Sequence, residues 1–386
     1  MSALAGSGAT MSGSNTGGAT LLGGTPSGGG AAHTGTAGST EVEEQPCTNP
    51  TEAVVKAIAT NETHSCALLT TGGVRCWGDN TYGQLGDGTS RNSDQAPPND
   101  VLGGVQAIAT GLNFTCALTT SGGVRCWGRN ASGQLGDGTH VDRATPPDTD
   151  VLIGVRAITT GDAYTCALME TGGIRCWGEN EDGELGDGTQ VDRATPPVTD
   201  TLQGFQSIAA DEVQTCGVST AGVVRCWGRT SGYSASPYVD VLGGVRDVAP
   251  GYDHTCALTL TGGVRCWGRN SLGQLGDGTN TEHLAPFEFD VLSDVRAIAA
   301  AGWYACALSS ADGLKCWGYN AFGQLGDGSD LDRSSPPKTD TLAGVRALST
   351  ARNHACALMN TGDVRCWGSN SPLNPRRPAL VQGLCN

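Results

Sequence analysis

The chain has 386 residues, 59 of them glycine, with 23 Lys+Arg against 38 Asp+Glu and a formal charge of −15. That balance argues against a nucleic-acid or anionic-membrane partner, since both need clustered Lys or Arg. No run approaches the ~18–20 apolar residues of a membrane span. Sixteen cysteines, regular in spacing, point to a disulfide framework and an oxidising compartment.

Residues 1–46 are mostly Gly, Ser, Thr and Ala, with three late acids, Glu41, Glu43 and Glu44. Such a segment buries too little apolar surface to offset the entropy of ordering it. It is expected to be a flexible linker or stalk, able to tether a folded domain spanning residues 47–386. No signal peptide is legible, so the sequence does not show the export route.

From Cys47 onward the chain repeats. A box of the Cys-Ala-Leu type begins at Cys66, Cys116, Cys166, Cys216, Cys256, Cys306 and Cys356, in steps of 50 residues with a single step of 40. Ten residues after each comes a second cysteine, at Cys76, Cys126, Cys176, Cys226, Cys266, Cys316 and Cys366, and each of these precedes Trp-Gly. A period of this size in a Gly- and Trp-rich chain predicts a propeller or solenoid.

Each repeat offers four short strand candidates and no helical periodicity. In the second repeat they cover residues 105–110, 115–119, 124–128 and a Pro-led segment near 147–152. The Gly-Gly turn at 119–123 is a tight hairpin, where glycine supplies the positive φ. Leu152-Ile153-Gly154 reads as a second tight turn, and the long segment 129–146 as the crossing between sheets. A blade is therefore expected to run Pro-led strand, Val-x-Ala-Ile strand, cysteine strand, Val-Arg-Cys-Trp strand. The first repeat lacks its Pro-led strand and the last ends in a spare one at 378–384. The predicted fold is all-β: a seven-bladed β-propeller of four-stranded antiparallel blades, closed by the C-terminal strand joining the N-terminal blade. Cys47 and Cys385 flank the turn that the termini interrupt, and are predicted to pair.

The Cys-x9-Cys spacing places each remaining pair symmetrically about a hairpin, close to disulfide range. Seven within-hairpin bonds are predicted, from Cys66–Cys76 to Cys356–Cys366. Zinc sites use closer cysteine pairs, and no metal or cofactor is expected. The repeated tryptophans read as packing between blades. Arg125 and Trp127 share a strand face, so guanidinium stacking on a ring is expected. Asp137 in the Gly-Gln-Leu-Gly-Asp-Gly box lacks the ligand pattern of an EF-hand. It is expected to bond nearby N–H groups while Leu135 packs beneath the loop. His64, His254 and His354 share a slot that elsewhere holds Phe114, Tyr164, Gln214 or Tyr304. A slot so permissive reads as packing or recognition rather than acid–base chemistry. No catalytic residue stands out, and the chain is read as a non-enzyme.

The box [His/aromatic]-[Ser/Thr/Ala]-Cys-Ala-Leu followed by Gly-Gly-Val-Arg-Cys-Trp-Gly-x-Asn-x-x-Gly-Gln-Leu-Gly resembles the regulator of chromosome condensation repeat family. The resemblance runs from Val54 to about Leu384 and implies a seven-bladed propeller. The doubled cysteines are similar to an extracytoplasmic bacterial branch of that family. Its eukaryotic founder implies guanine-nucleotide exchange on a small nuclear GTPase and chromatin binding. This chain departs from that member in lacking a basic N-terminal tail and an inserted wedge. Another branch, of secreted propellers that inhibit β-lactamases, implies that the scaffold can act as a binder.

The copies differ most on the face that carries the Gly-x-x-aromatic loops and the long connectors. Varying residues there are Leu112, Asn113 and Phe114; Asp162, Ala163 and Tyr164; Tyr252, Asp253 and His254; Gly302, Trp303 and Tyr304; Arg352, Asn353 and His354. Asp79, Tyr82, Tyr319 and Phe322 vary after Trp-Gly. The aromatic and basic members, with Leu112 and Asn113, are the candidate partner-binding residues, since aromatics on a rigid rim suit protein recognition. Two connectors, between Trp227 and Leu242 and between Trp367 and Leu384, are short and should leave notches. The reading is a monomeric, extracytoplasmic, non-enzymatic scaffold with a protein partner of unknown identity. The alternatives are an exchange-factor-like regulator of a small GTPase and a carbohydrate-binding or hydrolytic propeller.

Overall fold

Short β-branched runs bounded by glycine turns become strands, and the same three recur in every repeat. A computed structural model describes residues 55–229, 239–369 and 376–384. It is all-β, with no helix among the described residues. In the first repeat the strands are Val55–Thr60, His64–Leu69 and Val74–Gly78; in the second, Val105–Gly111, Phe114–Thr119 and Val124–Gly128. Each set forms an antiparallel sheet in chain order, and there are seven such sheets. The middle strand is buried along its whole length, as in Phe114–Thr119. Both of its faces are covered by neighbouring sheets, which is why Cys-Ala-Leu-Thr shows no polar alternation. The outer faces of the sheets meet in apolar layers built from two repeats each. One such layer holds Cys116, Leu118 and Val124 against Val155, Ile158 and Trp177.

A register shift between Val105 and Ala107, repeated in every sheet, turns the second residue of the first strand outward. Where that residue is arginine it reaches the next sheet: Arg156 Nη2 donates to the Gln206 carbonyl at 2.8 Å, and Arg246 Nη2 to that of Arg296 at 2.9 Å. Arg346 of the seventh repeat donates in the same way to the Val55 carbonyl of the first, at 2.6 Å. Thr60 and Ser349 hydroxyls add a 2.8 Å hydrogen bond between these two repeats.

The Pro-led segments do not start the following sheet. Leu152 bridges Val124 and Arg143 bridges Gly128, so each long segment returns to the edge of the sheet it left. The reason is electrostatic as well as hydrophobic. Arg125 Nε pairs with Asp150 at 2.7 Å, and the pattern repeats in Arg75–Asp100, Arg175–Asp200, Arg225–Asp240, Arg265–Asp290 and Lys315–Asp340. These cationic groups, the Arg125 guanidinium among them, are engaged by carboxylates rather than stacked on rings, contrary to expectation. The Leu152-Ile153-Gly154 link is short because it steps between sheets that stand side by side.

The C-terminal strand, Ala379–Leu380, likewise pairs with its own repeat, through Cys366↔Ala379 and Arg365↔Leu380. It does not join the first sheet as a strand. Its tail does touch the first repeat: Ala96 N donates to the Gln382 carbonyl at 3.3 Å, and Leu384 packs with Val55 and Trp77. Residues 1–46 and the predicted Cys47–Cys385 pair lie outside the described residues, as do 230–238 and 370–375 of the two short connectors, so the notches predicted there lie outside them too.

The seven within-hairpin disulfides are present, from Cys66–Cys76 to Cys356–Cys366. Their cysteines face each other directly in the register, as Cys116↔Cys126 does.

Candidate protein-binding face

The connector after Trp-Gly forms a strap. Asn130 organises it: its Oδ1 accepts from Leu135 N at 3.0 Å and its Nδ2 donates to the Thr139 carbonyl at 3.0 Å. Leu135 is buried under the loop. Burial pushes the Asp137 carboxyl up, but bonds from Thr139, Arg143 and Asn130 outweigh it and hold the group below its ordinary value. The strap then lies on the next repeat, where the Trp177 indole donates to the Gln134 carbonyl at 3.0 Å. Gly136 is required here: a Cβ would stand 2.6 Å from the Trp177 indole nitrogen, and φ is +76°.

On the same face, the seven loops between first and second strands converge. Leu112 N donates to Asp162 O at 3.1 Å, Asp162 N to Glu212 O at 2.9 Å, and Tyr252 N to Gly302 O at 2.9 Å. The contacts also cross between distant repeats. Arg352 Nη2 meets Glu212 Oε2 at 2.8 Å and Arg352 Nη1 lies 3.8 Å from Glu62 Oε2. Gly302 N donates to Asp211 Oδ2 at 3.3 Å. Gly302 makes room for the arginine, since a Cβ there would sit 3.1 Å from both Arg352 Cα and Cγ.

Rings continue from this junction toward the rim. The Arg352 guanidinium lies 5.4 Å from both the Tyr252 and the Trp303 ring centroids. Tyr252 meets Trp303 edge-on at 5.6 Å, Trp303 meets Tyr319 at 5.8 Å, and Tyr319 meets Phe322 at 6.1 Å. Arg229 also lies over the Tyr252 ring, at 4.8 Å. Phe322, at the outer end, is 45% exposed.

The predicted site residues divide into three groups. Tyr252, Trp303, Arg352, Tyr319 and Phe322 form one connected cluster. Leu112 and Asn113 are partly exposed on the same loops, and Asn113 Oδ1 accepts from Gln84 Nε2 at 3.2 Å. Tyr82 stands apart on the first strap, under the Arg129 guanidinium at 5.4 Å. Phe114, Tyr164, His254, Tyr304 and His354 do not form an exposed rim: all five are buried at the start of a middle strand. Phe114, Tyr164 and His254 lie over Gly111, Gly161 and Gly251, where a Cβ would collide with the ring. Tyr304 OH donates to the carbonyl of Ala351 at 2.9 Å or of His354 at 2.8 Å, tying two repeats together. Burial lowers His254 and His354 to about 4 and His64 to about 3, so these rings are neutral at physiological pH.

Sequence reasoning left four carboxylates out of the candidate site: Glu62, Asp162, Asp211 and Glu212. Glu62, Asp162, Glu212 and Arg352 occupy the same place in their repeats, two residues before the slot, and reading that column across the chain would have found them. Burial raises Asp162 to about 6. Burial, then Asp211 and Asp162, push Glu212 up to about 9 against the pull of Arg352. Asp211 is raised well above the carboxylate range by burial and by Asp162. Among the described residues no group of three His, Cys, Asp or Glu is arranged to hold a metal ion, and no helix is long and apolar enough to cross a membrane.

Two family models, both described as Regulator of chromosome condensation (RCC1) repeat, match this chain. One covers residues 55–84, 105–134, 155–184, 245–274 and 345–371, and the other 71–118, 121–168 and 261–308, together more than half of the chain. The chain belongs to the RCC1 repeat family. No curated protein sequence matches it. Solved structures share the fold of these RCC1 repeats. Yeast RCC1 (Prp20), in its complex with Kap60, has a TM-score of 0.70 at 18% identity, over 90% of this chain and 91% of that one. Human WBSCR16 has a TM-score of 0.66 at 20% identity, over 80% and 93%. The ectodomain of the Physcomitrella patens receptor kinase CR4 has a TM-score of 0.52 at 20% identity, over 82% and 74%. At these identities the likeness is one of fold: an RCC1-type β-propeller.

Proposed function

We propose that this chain is a closed seven-bladed, non-enzymatic scaffold that binds a protein partner through its loop face, in an oxidising compartment outside the cytoplasm. One observation carries the reading: the connected rings of Tyr252, Trp303, Tyr319 and Phe322, which run from the loop junction to an exposed rim. Large rings held by a rigid frame give contact area at little entropic cost, the usual basis of a binding hot spot. Seven disulfides favour an oxidising compartment. The fold is compatible with protein binding and with a setting outside the cytoplasm, since yeast RCC1 has been seen bound to Kap60 and the CR4 structure is that of an ectodomain.

The test is affinity capture from the native surface or medium with the full chain, comparing wild type, Tyr319→Ala/Phe322→Ala and Tyr82→Ala. The double variant is expected to lose at least tenfold of the captured partner, and Tyr82→Ala little. Equal recovery by the double variant and wild type would sink the rim as the binding site.

A further inference from the structure

Carboxylates outnumber cations at the loop junction. Glu62, Asp162, Asp211 and Glu212 surround one guanidinium, Arg352. Glu212 is only 7% exposed; its Oε2 takes Arg352, while its Oε1 is buried with no hydrogen-bond partner. Glu62, Asp162, Tyr252 and Trp303 around it are partly exposed, so the buried Glu212 carboxyl borders residues that solvent reaches. Arg352 shows what this environment accepts: a guanidinium against a carboxylate, with the Tyr252 and Trp303 rings at 5.4 Å. An incoming anion would face the same carboxylates and be repelled. A second cation would supply the donor that Glu212 Oε1 lacks and use the same rings as walls.

We propose that this junction is a recognition site for a lysine or arginine side chain presented by the protein partner, seated against Glu212 and Asp162 beside the paired rings of Tyr252 and Trp303. The inference rests on the reading of this face as a protein-binding surface, and it names the chemistry of the partner's anchor. The groups facing Glu212 are Asp211, Asp162, Glu62 and Arg352. Their crowding keeps a proton on the cluster when no cation is bound, so binding should release a proton and tighten as pH rises.

The test is isothermal titration of the full chain with three capped tripeptides, acetyl-Gly-Lys-Gly-amide and its Arg and Gln counterparts, at pH 6 and pH 8. Saturable binding of the Lys or Arg peptide is expected, tighter at pH 8, with the Gln peptide at least tenfold weaker. Glu212→Gln and Asp162→Asn should each weaken binding at least fivefold, while Glu170→Gln, on a distant hairpin turn, should leave it unchanged. Near-UV circular dichroism checks that the variants are folded, and the partly exposed Asp162 keeps the test valid if Glu212→Gln is not. Equal binding of the Gln peptide, no saturation by about 10 mM, or wild-type affinity in both variants would overturn the site. Tyr319 and Phe322 lie outside the junction. A partner captured through them while the tripeptides fail would overturn this inference alone; a Lys peptide that binds while the rim variants capture normally would overturn only the aromatic rim.

Discussion

Arg352 and Glu212 lie 140 residues apart, in the seventh and fourth repeats, and their side chains meet at 2.8 Å. The pair joins loops whose own sheets are not neighbours in the chain. Glu212 is buried and Arg352 half-buried, so each depends on the other for compensation of its charge.

Arg352→Gln removes the cation that opposes Asp162, Asp211 and Glu212. It is expected to cost about 2–4 kcal/mol near pH 8 and clearly less near pH 5. These carboxyls are already raised in the folded state, and loss of Arg352 raises them further. A group with a raised folded pKa binds more protons folded than unfolded, so stability declines as pH climbs from the ordinary carboxyl range through the folded value. Urea unfolding of both proteins at the two pH values checks this; an equal loss at both would refute it.

Glu184 stands where other straps carry Gln84, Gln134, Gln274 and Gln324. It is buried, its Oε2 accepts from Asp182 N at 3.0 Å, and burial raises it to about 7. Gln134 Oε1 makes the equivalent bond to Ser132 N at 2.9 Å without a titrating group. Glu184→Gln should therefore stabilise the protein by about 1–2 kcal/mol at pH 8, after allowance for solvent screening. At pH 4, below both the folded and the unfolded pKa, the gain should vanish. Thermal unfolding at the two pH values gives the comparison.

The strap bond makes Trp177 sensitive to a change that keeps an aromatic ring. Trp177 donates to the Gln134 carbonyl at 3.0 Å, and phenylalanine has no donor there. Trp177→Phe should cost about 1 kcal/mol for the lost bond alone. Gly136→Ala should cost at least as much as Trp177→Phe, because it forces both a clash with Trp177 and an unfavourable φ. Chemical denaturation of the two variants would show the order.

Peptide mapping without reductant should recover the seven within-hairpin bonds. Replacing Cys116 and Cys126 together with alanine should lower stability by about 2–3 kcal/mol in the chain-entropy view of a short loop. Free thiols at these positions in protein purified from its native source would contradict the oxidising compartment.

Regular features are readable because they recur in register. The Cys-x9-Cys pairs, the buried tryptophans and the packing of Leu135 all follow from one motif copied through the chain. The placement of the Pro-led segments does not, because a tight hairpin and a tight step between sheets have the same length in sequence. The recurring partnership of Arg125 with Asp150, 25 residues on, is the signal that tells them apart. Phe114, Tyr164, His254, Tyr304 and His354 mislead for a different reason. Variation between copies suggests exposure, yet a buried slot also varies when different side chains fit one space, as His64 and Tyr164 do in bonding the equivalent Thr115 and Thr215 of the next repeat, at 2.8 and 3.0 Å. The acidic cluster is legible only by reading one column across the repeats, two residues before the slot, where Glu62, Asp162, Glu212 and Arg352 stand; no local motif marks it.

The straps fasten one repeat to the next through Trp127, Trp177 and Trp227 in one unbroken series, and through Trp317 and Trp367 in another. In mechanical terms each strap is a clasp between adjacent repeats, whereas Arg352 and Glu212 tie the seventh repeat to the fourth. The ion pair is therefore a cross-brace over the loop face, and amide exchange in the loops it joins should quicken when the brace is cut.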